Sequence, residues 1–93
     1  MKNKVSIQYC TQCKWLLRAT WMSQEVLTTF NEEIDELTLI PGTGGVFKVH
    51  ANEKEIWCRK SQNGFPEITT LKKLVRDVIA PNKNLGHIDR VRS

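Results

Sequence analysis

Tyr9-Cys10-Thr11-Gln12-Cys13 places two thiols three positions apart where a predicted strand gives way to a predicted helix. Ahead of it, Lys4-Val5-Ser6-Ile7-Gln8-Tyr9 alternates polar and apolar residues, the period of a half-buried strand. Behind it, Lys14 to Phe30 carries apolar residues at helical spacing. This reading puts Cys10 in the loop leaving the strand and Cys13 in the first helical turn. The unpaired amides and dipole of a helix N-terminus favour a thiolate over a thiol there. The spacing also lets both sulfurs close one small disulfide ring. A reversible dithiol/disulfide site is the chemistry this stretch predicts.

The first helix, laid out at about 100° per residue, gathers Leu16, Ala19, Ser23, Val26, Leu27, Phe30 and Ile34 into one stripe, flanked by Trp15 and Met22. Leu17 and Trp21 fall on the opposite side, one turn apart. They are read either as a pair tucked under the C-terminal tail or as an exposed partner surface. Glu36-Leu37-Thr38-Leu39-Ile40 is a second strand, so the chain opens with a βαβ unit and parallel pairing. Pro41-Gly42-Thr43-Gly44-Gly45 is expected to break regular structure. No helix and no Gly-Lys-Ser/Thr follows it, which argues against a phosphate loop.

Val46 to His50 and Glu55 to Arg59 form a predicted hairpin about Ala51-Asn52-Glu53-Lys54. A regular register sets Phe47 opposite Cys58 and Val49 opposite Ile56 on the core face. It sets Lys48 opposite Trp57 and His50 opposite Glu55 outside. Ser61-Gln62-Asn63-Gly64 is read as a loop, and Pro66 as the first residue of the last helix. Ile68, Leu71, Leu74, Val75, Val78 and Ile79 line the apolar face of that helix, which Pro81 ends. The order is β-α-β-β-β-α: a mixed four-stranded α/β sheet with two packed helices, the Cys-x-x-Cys at the C-terminal end of the first strand. Open α/β sheets place their chemistry at that edge.

With 93 residues, 40% hydrophobic and 26% charged, the chain is read as one domain over residues 1–81 with a polar tail over 82–93. Three cysteines do not make a disulfide scaffold. Neither a signal-peptide core nor a membrane-length apolar run is found, so a cytoplasmic, reducing setting is expected. The net charge of +4 comes from scattered residues, and nucleic-acid and membrane partners are not expected. Zinc held by Cys10 and Cys13 with Cys58 and His50 is a distant alternative, because the register turns Cys58 inward and His50 outward. Cys58 is instead read as a small core residue, and no metal or cofactor is expected.

Three segments together carry a resemblance: Tyr9-Cys10-Thr11-Gln12-Cys13 with Trp15, Gly42-Thr43-Gly44-Gly45-Val46-Phe47, and Gly64-Phe65-Pro66-Glu67. In this order they resemble the selenoprotein W-like group of the Rdx family (SelT/SelW/SelH), with a minimal thioredoxin-like fold, over roughly Val5 to Pro81. The resemblance implies a thiol–disulfide oxidoreductase whose redox pair is Cys10 and Cys13, linked to glutathione or thioredoxin, with protein or glutathione thiols and disulfides as partners. Selenoprotein members carry selenocysteine where Cys13 stands, so Cys13 must be activated by its surroundings, with Lys14 as a candidate helper. The family pattern makes Cys13 the attacking sulfur and Cys10 the resolving one; thioredoxin logic reverses them. Thioredoxins also set a cis-proline before the strand facing the motif, a place held here by Thr43-Gly44-Gly45. A function of another class stays open: a binding module, gated by the redox state of the pair, that contacts partners through Leu17 and Trp21.

Overall fold

Strand alternation and helical stripe are both realised in the computed structural model, which describes residues 2–86. Strands β1 (Lys4–Cys10), β2 (Glu36–Gly42), β3 (Phe47–Ala51) and β4 (Lys54–Cys58) form one sheet in the order β2-β1-β3-β4. β1 pairs parallel with β2, from Lys4 opposite Glu36 to Cys10 opposite Gly42. The other two pairings are antiparallel, so the sheet is mixed. Helix α1 (Leu16–Thr29) connects β1 to β2. A short helix α2 (Arg59–Gln62) follows β4, and α3 (Ile68–Ile79) follows that.

α1 lies on β1 and β2, α3 lies on β3 and β4, and the two helices touch each other. Both therefore cover the same face. Val5, Ile7 and Tyr9 of β1 and Phe47, Val49 and Ala51 of β3 point into the layer beneath them. There they meet Ala19, Met22, Val26 and Phe30 from the first helix region and Leu71 and Val75 from α3. Burying each large side chain contributes about 1.5–3 kcal/mol, and this layer fixes both helices.

Several expectations are corrected by the structure. α1 begins at Leu16 with Trp15 as its N-cap, so Cys13 lies ahead of the helix and not in its first turn. The buried face runs through Ala19, Met22, Ser23, Val26 and Phe30, while Leu16 and Leu27 are exposed. Trp15 and Met22, expected at its margin, pack on or within the core. β2 continues through Pro41 to Gly42; an edge strand tolerates a proline, because one side of it needs no ladder bond. Ser61 and Gln62 belong to α2 instead of a loop. Pro66 is not the first residue of α3 but precedes its N-cap, Glu67.

The hairpin register also changes. Ala51 pairs with Lys54 and His50 with Glu55 as expected. A bulge at Val49/His50 then sets Val49 opposite Trp57 and Lys48 opposite Cys58. One extra residue on β4 reverses which side chains share a face beyond it. Lys48 thus approaches Glu55, at 4.0 Å, and not the Trp57 ring, whose Nε1–H donates to the Gly64 carbonyl. Of the expected tail, Leu85 packs on the core and residues 87–93 lie outside the described residues.

Candidate functional site

β1 ends at Cys10, and the chain reverses through Thr11–Lys14 before α1 starts. Local hydrogen bonds fix this turn. The Thr11 amide and hydroxyl both donate to the Gly42 carbonyl, at 3.0 and 3.2 Å, tying the motif to the end of β2. The Lys14 amide donates to the Thr11 carbonyl at 3.1 Å. Lys14 adopts φ +61°, a left-handed conformation uncommon for a residue with a side chain. That conformation turns the chain from the motif into Trp15 and the helix.

The two thiols meet within this turn. Cys13 Sγ donates to Cys10 Sγ at 2.8 Å; Cys10 is fully buried and Cys13 exposed. The hydrogen bond from Cys13 is the main cause that lowers Cys10, with help from the Gly45, Cys13 and Gln12 amides and opposition from burial. Cys13 is raised, first by its bond to Cys10 and then by burial and the Cys10 charge, while Arg59 and the Gly45 amide lower it. These shifts belong to the pair: one proton is lost more readily than from a free thiol, the second less readily. The stabilising amides are those of the turn and of Gly45, since the helix begins too late for Cys13 to sit in its first turn.

Across the motif, Gly44 and Gly45 have φ +71° and +75°, which only glycine adopts without strain. There is no cis peptide bond among the described residues. The segment that faces the motif is thus a trans glycine backbone, and the Gly45 amide is among the causes that lower both thiols.

Beside the thiols, Trp15, Phe47 and Phe65 form an edge-to-face cluster, with centroids 4.8 Å apart for Trp15–Phe65, 5.0 Å for Phe47–Phe65 and 6.5 Å for Trp15–Phe47. Each ring comes from one of the three segments that carried the family resemblance. Two guanidinium groups cap the cluster: Arg18 lies 4.0 Å from the Phe65 centroid and Arg59 4.9 Å from that of Trp15. Arg59 Nε also donates to the Gly45 carbonyl at 3.2 Å. The cation that lowers Cys13 is therefore Arg59, reaching in from the end of β4, and not the expected Lys14. The regular hairpin register hid this residue, because it turned Arg59 toward the opposite face.

The remaining candidates stand apart from the pair. Cys58 is buried and its thiol is lowered by the Ser61 hydroxyl and by the amides of Ser61 and Lys60. His50 Nε2 lies 3.8 Å from Glu55. Among the described residues no group of three or more His, Cys, Asp or Glu side chains is arranged to hold a metal ion, and no helix is long and apolar enough to cross a membrane. Leu17 and Trp21 are both exposed on α1, at 81% and 46%.

A four-stranded mixed sheet with helices packed on it and Cys-x-x-Cys at the end of its first strand defines a thioredoxin-like protein. The model of the Rdx family matches residues 4–77, and the chain belongs to that redox-associated family, in its selenoprotein W-like group. A selenoprotein W-related protein from Vibrio cholerae is 50% identical, with a TM-score of 0.82 over 84% of this chain and 98% of its own. A protein of known structure from Bordetella parapertussis is 53% identical, with a TM-score of 0.80 over 83% of this chain and 98% of its own. A search of curated proteins gave no match.

Proposed function

We propose that this chain is a thiol–disulfide oxidoreductase that uses Cys13 as the attacking sulfur and Cys10 as the resolving one. The observation that carries this reading is one contact: an exposed thiol and a buried thiol with their sulfurs 2.8 Å apart. An incoming disulfide can reach Cys13, whereas Cys10 is shielded from everything except Cys13. Cys13 passes its proton to Cys10 across the 2.8 Å contact, and its thiolate attacks one sulfur of a substrate disulfide, forming a mixed disulfide and releasing the other sulfur as a thiolate that takes up a proton. Cys10, deprotonated in turn, attacks Cys13 Sγ, closes the Cys10–Cys13 disulfide and releases the second substrate thiol. The substrate gains two electrons and the protein loses two. An external thiol reductant, glutathione or thioredoxin in the cytoplasm, restores the dithiol.

A second reading, a redox-gated binding module, is favoured by the exposed Leu17 and Trp21 just beyond the motif. Both readings use the same dithiol and differ in turnover. The test is incubation with a model disulfide and an excess of either reducing system, following consumption of the terminal reductant. Sustained turnover supports the oxidoreductase. Reaction that stops after one equivalent in both systems overturns it and supports the gated module.

A further inference from the structure

The segment facing the motif lacks a proline to set its course, and glycine backbone is the least constrained a chain can offer. Something else must hold the Gly44–Gly45 turn against the sulfurs. The side chain in place to do so is Arg59, the first residue of α2. Its Nε donates to the Gly45 carbonyl, while its guanidinium lies over Trp15 at 4.9 Å and reaches Phe65 at 6.0 Å. A planar guanidinium can stack and donate at once, which an ammonium cannot. A methyl group on Gly45 would stand 3.3 Å from Arg59 Nη2, so the glycine lets the two approach this closely.

We propose that Arg59 is a positioning residue for the dithiol: it clamps the Gly45 peptide across the motif so that the Gly45 amide stays directed at the two sulfurs, and it holds its own charge beside Cys13. The inference rests on Cys13 being the attacking sulfur, as proposed above. The same residue links the two: the Gly45 carbonyl is bound by Arg59, and the Gly45 amide is among the groups that lower both thiols. A preorganised amide and a fixed cation stabilise the Cys13 thiolate when its proton leaves, without rearrangement. The cations nearest Cys13 in the chain are Lys14 and Arg18, and Arg59 and Lys60 open α2. Arg59 is the cation among them that lowers Cys13, and the Gly45 amide acts in the same direction.

The test uses the full chain with Cys10→Ser, so that Cys13 is titrated alone. Iodoacetamide alkylation is followed from acid to alkaline pH, with peptide mass mapping to separate Cys13 from Cys58. Adding Arg59→Met is expected to slow Cys13 alkylation at neutral pH about three- to tenfold and to move the midpoint upward. Arg59→Lys, which keeps the charge but loses the stacked fork, is expected to fall between the two. An Arg59→Met profile superimposable on that of the parent, with the far-UV spectrum unchanged, overturns the proposal; a purely structural arginine would lower the melting temperature and leave the profile alone. If Arg59→Met does not fold, Arg59→Lys decides: an upward midpoint supports the clamp, and an unmoved one overturns it. Alkylation reads the thiol directly, so failure of disulfide turnover would remove the proposed function while leaving this measurement intact.

Discussion

The molecule has two strand-to-helix junctions that begin alike and end differently. β1 ends in Cys10 and β4 ends in Cys58, and in each the side chain three positions on is the first cause that lowers that thiol. At the first junction it is Cys13, at the second Ser61. Both first cysteines are buried and both are lowered, Cys10 through the bond it accepts from Cys13. Local hydrogen bonding can therefore lower a thiol anywhere a strand turns into a helix. It does not by itself make a redox site. What the first junction adds is a second sulfur at position three, an exposed one, and a turn long enough to present it before the helix begins. The second junction enters α2 at once and offers Arg59 to its neighbour.

The most direct way to break this comparison is to remove one sulfur from each junction. Cys13→Ser is expected to lower disulfide exchange on the order of 10³-fold or more, the scale seen when a nucleophile is removed. Cys58→Ser is expected to leave exchange within about twofold, since its partner at position three is a hydroxyl and cannot form a disulfide. Comparable losses from the two variants, measured with the same model disulfide, would show that the junctions are not functionally distinct. Cys10→Ser sharpens the point: it should halt the reaction at a mixed disulfide on Cys13, visible by intact mass.

The two junctions are joined by the Trp15–Phe47–Phe65 cluster, and the second expected effect concerns that bridge. Phe47 is 1% exposed and touches both other rings. Phe47→Ala is expected to cost about 3–5 kcal/mol of stability, read by urea unfolding. A loss below about 1 kcal/mol would mean that the junctions are held together by backbone alone.

The pH dependence separates a pair from a single thiol. Because Cys13 donates to Cys10, the first proton should leave at lower pH than from a free thiol, and the second at higher pH. Alkylation of the intact motif should therefore rise in two steps that flank the titration of a free cysteine. With Cys10→Ser the bond and charge that raise Cys13 are gone, so one step should remain, below the upper step of the parent. A single unperturbed step in the parent would show that the two thiols do not share a proton.

How much of this was legible in the sequence follows from what each feature depends on. β1, α1, β2 and α3 were readable because period and composition agree over each segment, and the parallel β1–β2 pairing follows from the connection between them. The three resemblance segments were also found, though not that their rings meet. The bulge was hidden: alternation in Glu55 to Arg59 is compatible with two registers, and in the one adopted Trp57 Nε1 donates to the Gly64 carbonyl. That one residue of slippage carried Arg59 to the site and turned Cys58 opposite Lys48. The late start of α1 was hidden for a related reason, since Lys14 must adopt a positive φ that no propensity favours. A signal for Arg59 did exist: a cation directly after the strand that pairs with the segment following Gly44-Gly45.

The smallest expected effect concerns what each junction shows to solvent. α2 presents Lys60, Ser61 and Gln62, all polar and exposed, whereas α1 opens with Leu16 and Leu17 and continues to Trp21. Cys13 precedes the helix, so Leu17 is not stacked one turn above it; both are placed by the turn that ends at Trp15. A partner that docks on Leu17 and Trp21 would still meet the chain where it leaves the motif. Trp21 is 46% exposed, so about half of its surface is already in water and little core is lost with it. Trp21→Ser is expected to cost about 1 kcal/mol or less, a shift of at most a few degrees in the melting temperature of a domain this size. Its main effect should be on capture: with Cys10→Ser as the trapping background, mixed disulfides with protein partners should fall several-fold, while reaction with a small model disulfide stays unchanged. If the small disulfide is slowed equally, Trp21 acts on the thiols and not on docking. If the melting temperature collapses, the ring is a structural member of α1, and the apolar surface beyond the first junction is not a partner surface.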